Sequence, residues 1–163
     1  MKYCGGTFSG KKTLVCSDDI EVVGHKCDYE GRKPTENRIE VIMQWQGCKN
    51  LSDVRSFLGV TGVLRAYIPN YGIRAYELQK LLRKDQPFEW GPKQIESMEL
   101  VKDGVRSAQA IRPLDYKHQG MIVLAVDSSY IGIGFYIYQE DIIDPKRHYY
   151  AKFGSHPLSD REV

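Results

Sequence analysis

Six consecutive apolar residues, Met121-Ile122-Val123-Leu124-Ala125-Val126, run without a polar interruption into Asp127. A short run of that kind reads as a strand covered on both faces, as at the centre of a sheet. It predicts that the last third of the chain opens a new sheet. Ser128-Ser129-Tyr130 turns the chain, Ile131 to Tyr138 returns it with Gly132 and Gly134 allowing close backbone approach, and His148 to Phe153 supplies a third strand. A carboxylate at the end of an apolar strand is costly to desolvate unless metal, hydrogen bonds or solvent compensate it. Asp127 is therefore either a turn aspartate bonded to the backbone of Ser128 or Ser129, or the beginning of a metal site. A two-metal nuclease needs several carboxylates converging on ions about 4 Å apart, so one aspartate is only a start.

The stretch before this sheet has helical period. Asn50 is a cap for a helix from Leu51 to Ile68, where Val54, Phe57, Leu58 and Thr61 form an i, i+3, i+4, i+7 stripe and Pro69 ends the pattern. Opposite that stripe lie Arg55, Gly59, Gly62, Val63 and Ala66. Glycine inside a helix costs about 1 kcal/mol relative to alanine, so two of them imply that something approaches the backbone closely. That partner is either a nucleic-acid minor groove or another helix. Earlier, Ile39, Ile42 and Met43 mark a helix that Pro34 opens. Later, a third helix spans Ile73 to Leu82, and Trp90-Gly91-Pro92 opens a fourth from Lys93 to about Arg106 with Ile95, Met98, Val101 and Val105 on its apolar side. Lys80, Arg83 and Lys84 share a helical face, which either neutralises phosphates or is simply solvated.

At the start, Thr13 to Cys16 and Ile20 to Cys27 are β-branched runs separated by Ser17-Asp18-Asp19, with Asp28-Tyr29-Glu30-Gly31 as a second turn. They predict a small antiparallel element. Asp18-Asp19 imitates the paired aspartates by which polymerases hold magnesium, but it lacks the aromatic two places before the pair and reads as solvated turn residues. Cys4, Cys16, Cys27 and Cys48 are spaced 12, 11 and 21 apart without a C-x-x-C pair, as reduced thiols would be. His25 and Cys27 offer half of a zinc site, and strand alternation explains them as well.

Charge narrows the binding region without naming it. The net charge of +2 is a small difference between 23 basic and 21 acidic residues. Residues 51–112 hold 10 Lys/Arg against 7 Asp/Glu, whereas residues 113–163 hold 5 against 7, so phosphates are expected at the middle. No run approaches the ~20 apolar residues of a membrane span, so a soluble, membrane-free chain is expected.

The ordered motifs resemble those of the Ty3/gypsy-type LTR retrotransposon Pol polyprotein, from the end of its reverse transcriptase to its RNase H. Phe57-Leu58-Gly59 with Arg65, Tyr67 and Ile68 is similar to the thumb-helix pattern F-L-G-x-x-x-x-x-R-x-[FY]-I, and Phe88-x-Trp90-Gly91 to the F-x-W junction. Val101-Lys102, Val105 and Pro113-Leu114-Asp115 are similar, with conservative shifts, to the family's L-K-x-x-L and proline-aspartate lead. Asp127-Ser128-Ser129 through Gln139 is similar to D-A-S-x-x-G-I-G-x-x-L-x-Q. Val63 stands where the family usually has an aromatic, Ser128 replaces the usual alanine, and Gln109 stands where a proline is common.

The resemblance implies an α+β fold: a small β element, a helical thumb-like bundle, then the first strands of an RNase H-like mixed sheet. It divides the chain into residues 1–33 at the end of the palm, 34–86 as the thumb-like region and 87–163 as the N-terminal part of the RNase H-like domain. It makes Asp127 the first metal-binding aspartate of a magnesium-dependent nuclease, and Arg55, Gly59 and Val63 positions that track the minor groove of the template-primer. The implied partners are an RNA–DNA hybrid or DNA duplex, held weakly, and the remainder of the polyprotein; the implied location is cytoplasmic or nuclear, not secreted. In that family the polymerase aspartates precede Met1 and the other nuclease carboxylates follow Val163, Glu162 corresponding to a glutamate ahead of the catalytic one. The chain is thus expected to be a catalytically silent, template-primer-binding segment of a polymerase–nuclease. A domesticated binding protein without enzymatic activity is the alternative.

Overall fold

The computed structural model describes residues 9–84, 86–117 and 120–158. Cys4 and Glu162, both singled out above, lie outside them. The elements are β1 (Ile20–Val22), β2 (His25–Asp28), β3 (Gly31–Pro34), α1 (Glu36–Met43), α2 (Leu51–Gly62), a 3-10 turn (Arg65–Tyr67), α3 (Tyr71–Arg74), α4 (Tyr76–Lys80), α5 (Pro92–Arg106), β4 (Ile122–Ser128), β5 (Gly132–Glu140) and β6 (His148–Pro157). Two antiparallel three-stranded sheets, ordered β1-β2-β3 and β4-β5-β6, flank the helices. The fold class is α+β, as the sequence implied.

The first sheet departs from its expected bounds. Thr13 to Cys16 is not a strand; a short 3-10 turn covers Gly10–Lys12 instead. The run from Ile20 to Cys27 is broken by a turn in which Val23 has φ 50° and Gly24 φ 75°. Glycine takes that left-handed conformation without steric cost, which fixes the hairpin there. A third strand, Gly31–Pro34, pairs with β2 despite its poor β composition. Pro34 therefore ends a strand and does not open α1, whose cap position is Thr35.

Helix α2 starts where the sequence placed it, since the Asn50 side chain accepts the Asp53 N–H at 2.9 Å. It ends at Gly62, short of the expected Ile68, and a 3-10 turn carries the chain on. The expected third helix is two shorter ones that meet at Ala75, whose ψ of 2° has left the helical range. Helix α5 matches its expected span, with Gln94 Oε1 accepting the Gly91 N–H at 3.1 Å. Met98, Val101 and Val105 are buried, but Ile95 is 50% exposed and lies off the apolar stripe.

One core joins these parts. Ile42, Val54, Phe57, Leu64, Tyr67, Ile68, Leu78, Val101 and Ile111 share it with Phe153 of β6. Ile111 also exchanges backbone hydrogen bonds with Arg32 of β3 at 2.8 and 2.9 Å, while the Arg112 N–H reaches the Tyr150 carbonyl of β6 at 2.9 Å. The segment after α5 thus tethers both sheets. Among the described residues no helix is long and apolar enough to cross a membrane.

The largest correction concerns β4. It is the outer strand of its sheet, and Leu124 and Val126 are 61% and 60% exposed. Leu124 opposes Ile137 and Val126 opposes Phe135, so these side chains share one face of the sheet. The other face meets the helices: a Cβ on Gly132 would come within 3.0 Å of Ile73, and one on Gly134 would collide with Asn70. Period alone reads an apolar run as covered, and here only one face is.

Candidate nucleic-acid interface

Helix α2 carries two unlike faces. Val54, Phe57 and Thr61 are buried, and the Thr61 hydroxyl donates to the Phe57 carbonyl at 2.9 Å while contacting the Tyr71 hydroxyl at 2.9 Å. Arg55 and Gly59 are exposed on the helix, and Val63, its C-cap residue, is 51% exposed. The two helical glycines differ. A Cβ on Gly62 would touch the Tyr71 hydroxyl at 3.8 Å, whereas one on Gly59 would have nothing within 4 Å. Among the described residues Gly59 therefore seats no other helix, and its bare backbone faces open space one turn from the exposed Arg55.

The basic cluster is arranged differently from the sequence expectation. Helix α4 ends at Lys80, so Arg83 and Lys84 lie in the turn that follows and the three do not share a helical face. Lys80 and Arg83 nonetheless line one cavity with Tyr76 and Gln79, and the Arg83 guanidinium sits 5.8 Å from the Tyr76 ring centre. Lys84 is exposed.

Asp127 lies inside β4, paired with Gly134, and its carboxylate is exposed. It accepts no hydrogen bond from Ser128 or Ser129; the turn is closed by Ser129, whose Oγ accepts the Ile131 N–H at 3.3 Å. Among the described residues no three His, Cys, Asp or Glu side chains converge as metal ligands. One exposed carboxylate does not fit a pair of magnesium ions, which need bridging and flanking ligands. Asp19 of the paired aspartates is engaged by Lys26 at 2.7 Å. His25 and Cys27 belong to β2, and His25 Nδ1 bonds the Tyr67 hydroxyl at 2.9 Å.

A further cluster was read only as a strand. The Arg112 guanidinium covers the Tyr149 ring at 3.2 Å from its centre, Arg147 lies 5.1 Å from the same centre, and the Tyr149 hydroxyl donates to Asp141 Oδ2 at 2.6 Å. That phenol, followed by the N–H groups of Ile143 and Asp144, lowers the Asp141 carboxyl to about 2. The basic–aromatic run Arg147-His148-Tyr149-Tyr150 was the available signal.

Over 151 residues, 88% of its length, the chain is 28% identical to the Transposon Tf2-3 polyprotein of Schizosaccharomyces pombe. The chain is similar to transposon polyproteins. The Transposon Tf2-4 polyprotein of the same organism matches equally, and the chain spans 11% of the length of each. No family model matches the chain. Among solved structures, the foamy viral protease-reverse transcriptase in complex with dsDNA matches 93% of this chain and 31% of that one, with a TM-score of 0.75 at 17% identity. The same viral protein in complex with an RNA/DNA hybrid matches 93% of this chain and 20% of that one, with a TM-score of 0.72 at 18% identity. The likeness shows that the α+β fold is laid out as in a segment of a reverse transcriptase.

Proposed function

We propose that this chain is the reverse-transcriptase-to-RNase-H segment of a retrotransposon polyprotein and that it grips a nucleic-acid duplex through Arg55, Gly59 and Val63. The open space over Gly59, on a helix that buries Val54, Phe57 and Thr61 on its opposite side, carries the reading. A glycine exposed on a helix has no packing reason to be there and weakens the helix by about 1 kcal/mol, and a groove passing over it supplies the reason. The solved neighbours that hold dsDNA and an RNA/DNA hybrid support the same assignment.

In this reading residues 1–33, 34–86 and 87–163 are the palm end, the thumb-like region and the start of the RNase H-like domain. Asp127 would be one ligand of a magnesium site whose other ligands are not among the described residues, and the role proposed for the chain is binding. The exposed Leu124 and Val126 face is where that remainder packs. Lys80, Arg83 and Lys84 add phosphate contacts along the duplex.

The test is a titration of the chain with an RNA–DNA hybrid and a DNA duplex at several salt concentrations. Each neutralised phosphate contributes a slope of about −0.9 in log affinity against log salt. Weak binding with a shallow slope, flattened by charge reversal at Lys80, Arg83 and Lys84, is the expected result. Salt-independent binding, or none, overturns the proposal.

A further inference from the structure

Between the Arg65–Tyr67 turn, α3 and β6 lies a cavity of about 390 Å³, within the range of roughly 300–1,000 Å³ usual for ligand clefts. Phe153 lines it from the sheet face that meets the helices and Phe135 from beside Gly154, and the exposed Arg65 and Lys152 line it as well. Among the described residues no carboxylate lines it. Two side chains add neutral donors. Ser155 Oγ accepts the Gly72 N–H at 2.6 Å, which leaves its own hydrogen for a ligand, and Gln79 presents an amide.

The cleft is held open by its glycines. A Cβ on Gly72 would press on Pro157 and Ser155 at 3.0 Å, and one on Gly154 would run into the Phe135 ring. Two cations over low-dielectric aromatic walls focus positive potential into the space between them. The cleft shares Gln79 and Pro157 with the neighbouring cavity that Lys80 and Arg83 line, so the positive rim is continuous past α4. A groove whose described lining is basic, without a carboxylate, and carries hydroxyl and amide groups matches a phosphodiester better than it matches a neutral or cationic ligand.

We propose that this cleft holds a backbone phosphate of the bound nucleic-acid strand, with Arg65 and Lys152 as the charged contacts and Ser155 and Gln79 as neutral donors. The inference rests on the reading of the chain as a duplex-gripping segment and extends the grip from the α2 face to the junction with the second sheet.

The experiment compares the full chain with Arg65→Gln, Lys152→Gln, their combination, and Lys93→Gln on α5 as a control outside the cleft, using an RNA–DNA hybrid across a salt series. Arg65 and Lys152 are exposed, so the variants should fold, and melting curves check that they do. Each cleft substitution is expected to weaken binding several-fold and to lower the slope by about 0.9, the pair by about 1.8, with the control unchanged. In the unaltered chain, the amide resonances of Gly154 and Ser155 should shift as hybrid is added. If the unaltered chain binds with its usual slope and the cleft variants match it, the cleft assignment falls and the α2 reading stands. If the unaltered chain binds no hybrid, both fall.

Discussion

Tyr67 and His25 meet at 2.9 Å through the phenol oxygen and imidazole Nδ1, although 42 residues separate them in the chain. The contact ties the first sheet to the end of the α2 segment, where Tyr67 is fully buried. Burial, followed by the nearby Arg38 and Arg32 guanidiniums, lowers the His25 pKa from its ordinary 6.5. An unfolded chain then takes up a proton near 6.5 that the folded chain resists, so stability rises with pH through that window. The contribution is complete above 6.5 and is lost as pH falls below it toward the lowered value. Melting temperatures from pH 8 down to pH 5 should show this fall, and His25→Gln should flatten it. An unaltered profile in the variant would show that His25 is not the group responsible.

Asp141 gives a second pH window. Its carboxyl is lowered from 3.8 to about 2, first by the Tyr149 phenol. For a carboxyl lowered on folding, the stabilising effect is present above 3.8 and is lost as pH falls through about 2. Tyr149→Phe removes the first cause, and an NMR titration should show the Asp141 midpoint moving up toward 3.8. A midpoint that stays near 2 would assign the shift to the backbone N–H groups alone.

For Asp127, no side-chain hydrogen bond or ion pair to a described residue holds the exposed carboxylate in the fold. Asp127→Asn should change stability by no more than about 0.5 kcal/mol, the usual range for such surface positions. The unaltered chain should release no product from an RNA–DNA hybrid with magnesium or manganese. Cleavage that disappears in Asp127→Asn would contradict the account and require a second ligand beyond those described.

The parts that were legible in the sequence are those set by local chemistry. Asn50 caps α2 because its side-chain oxygen meets an N–H three residues on, and α5 keeps its period over 15 residues. The parts that were not legible depend on distant partners. Gly31–Pro34 has no strand composition and becomes one through pairing with β2 and the bridge from Arg32 to Ile111. The six apolar residues before Asp127 have the same pattern whether one face is covered or both, and sequence period cannot supply the missing layer. The site divides the same way. Arg55 and Gly59 share a helix face by spacing alone, whereas Arg65 and Lys152 come to line one cavity only because β6 packs against the Arg65–Tyr67 turn and α3.

The central claim, that Gly59 is small because a duplex passes over it, is tested most directly by Gly59→Ala, measured by thermal melting and by hybrid titration. Nothing lies within 4 Å of the added methyl, so the free protein should gain up to about 1 kcal/mol through helix propensity while hybrid binding weakens. Gly104→Ala on α5 is the contrasting control, since its methyl would come 2.5 Å from Ile68 Cγ2 and should destabilise the fold by about 1–3 kcal/mol. A loss of stability in Gly59→Ala comparable to that control, or unchanged hybrid affinity, would contradict the account.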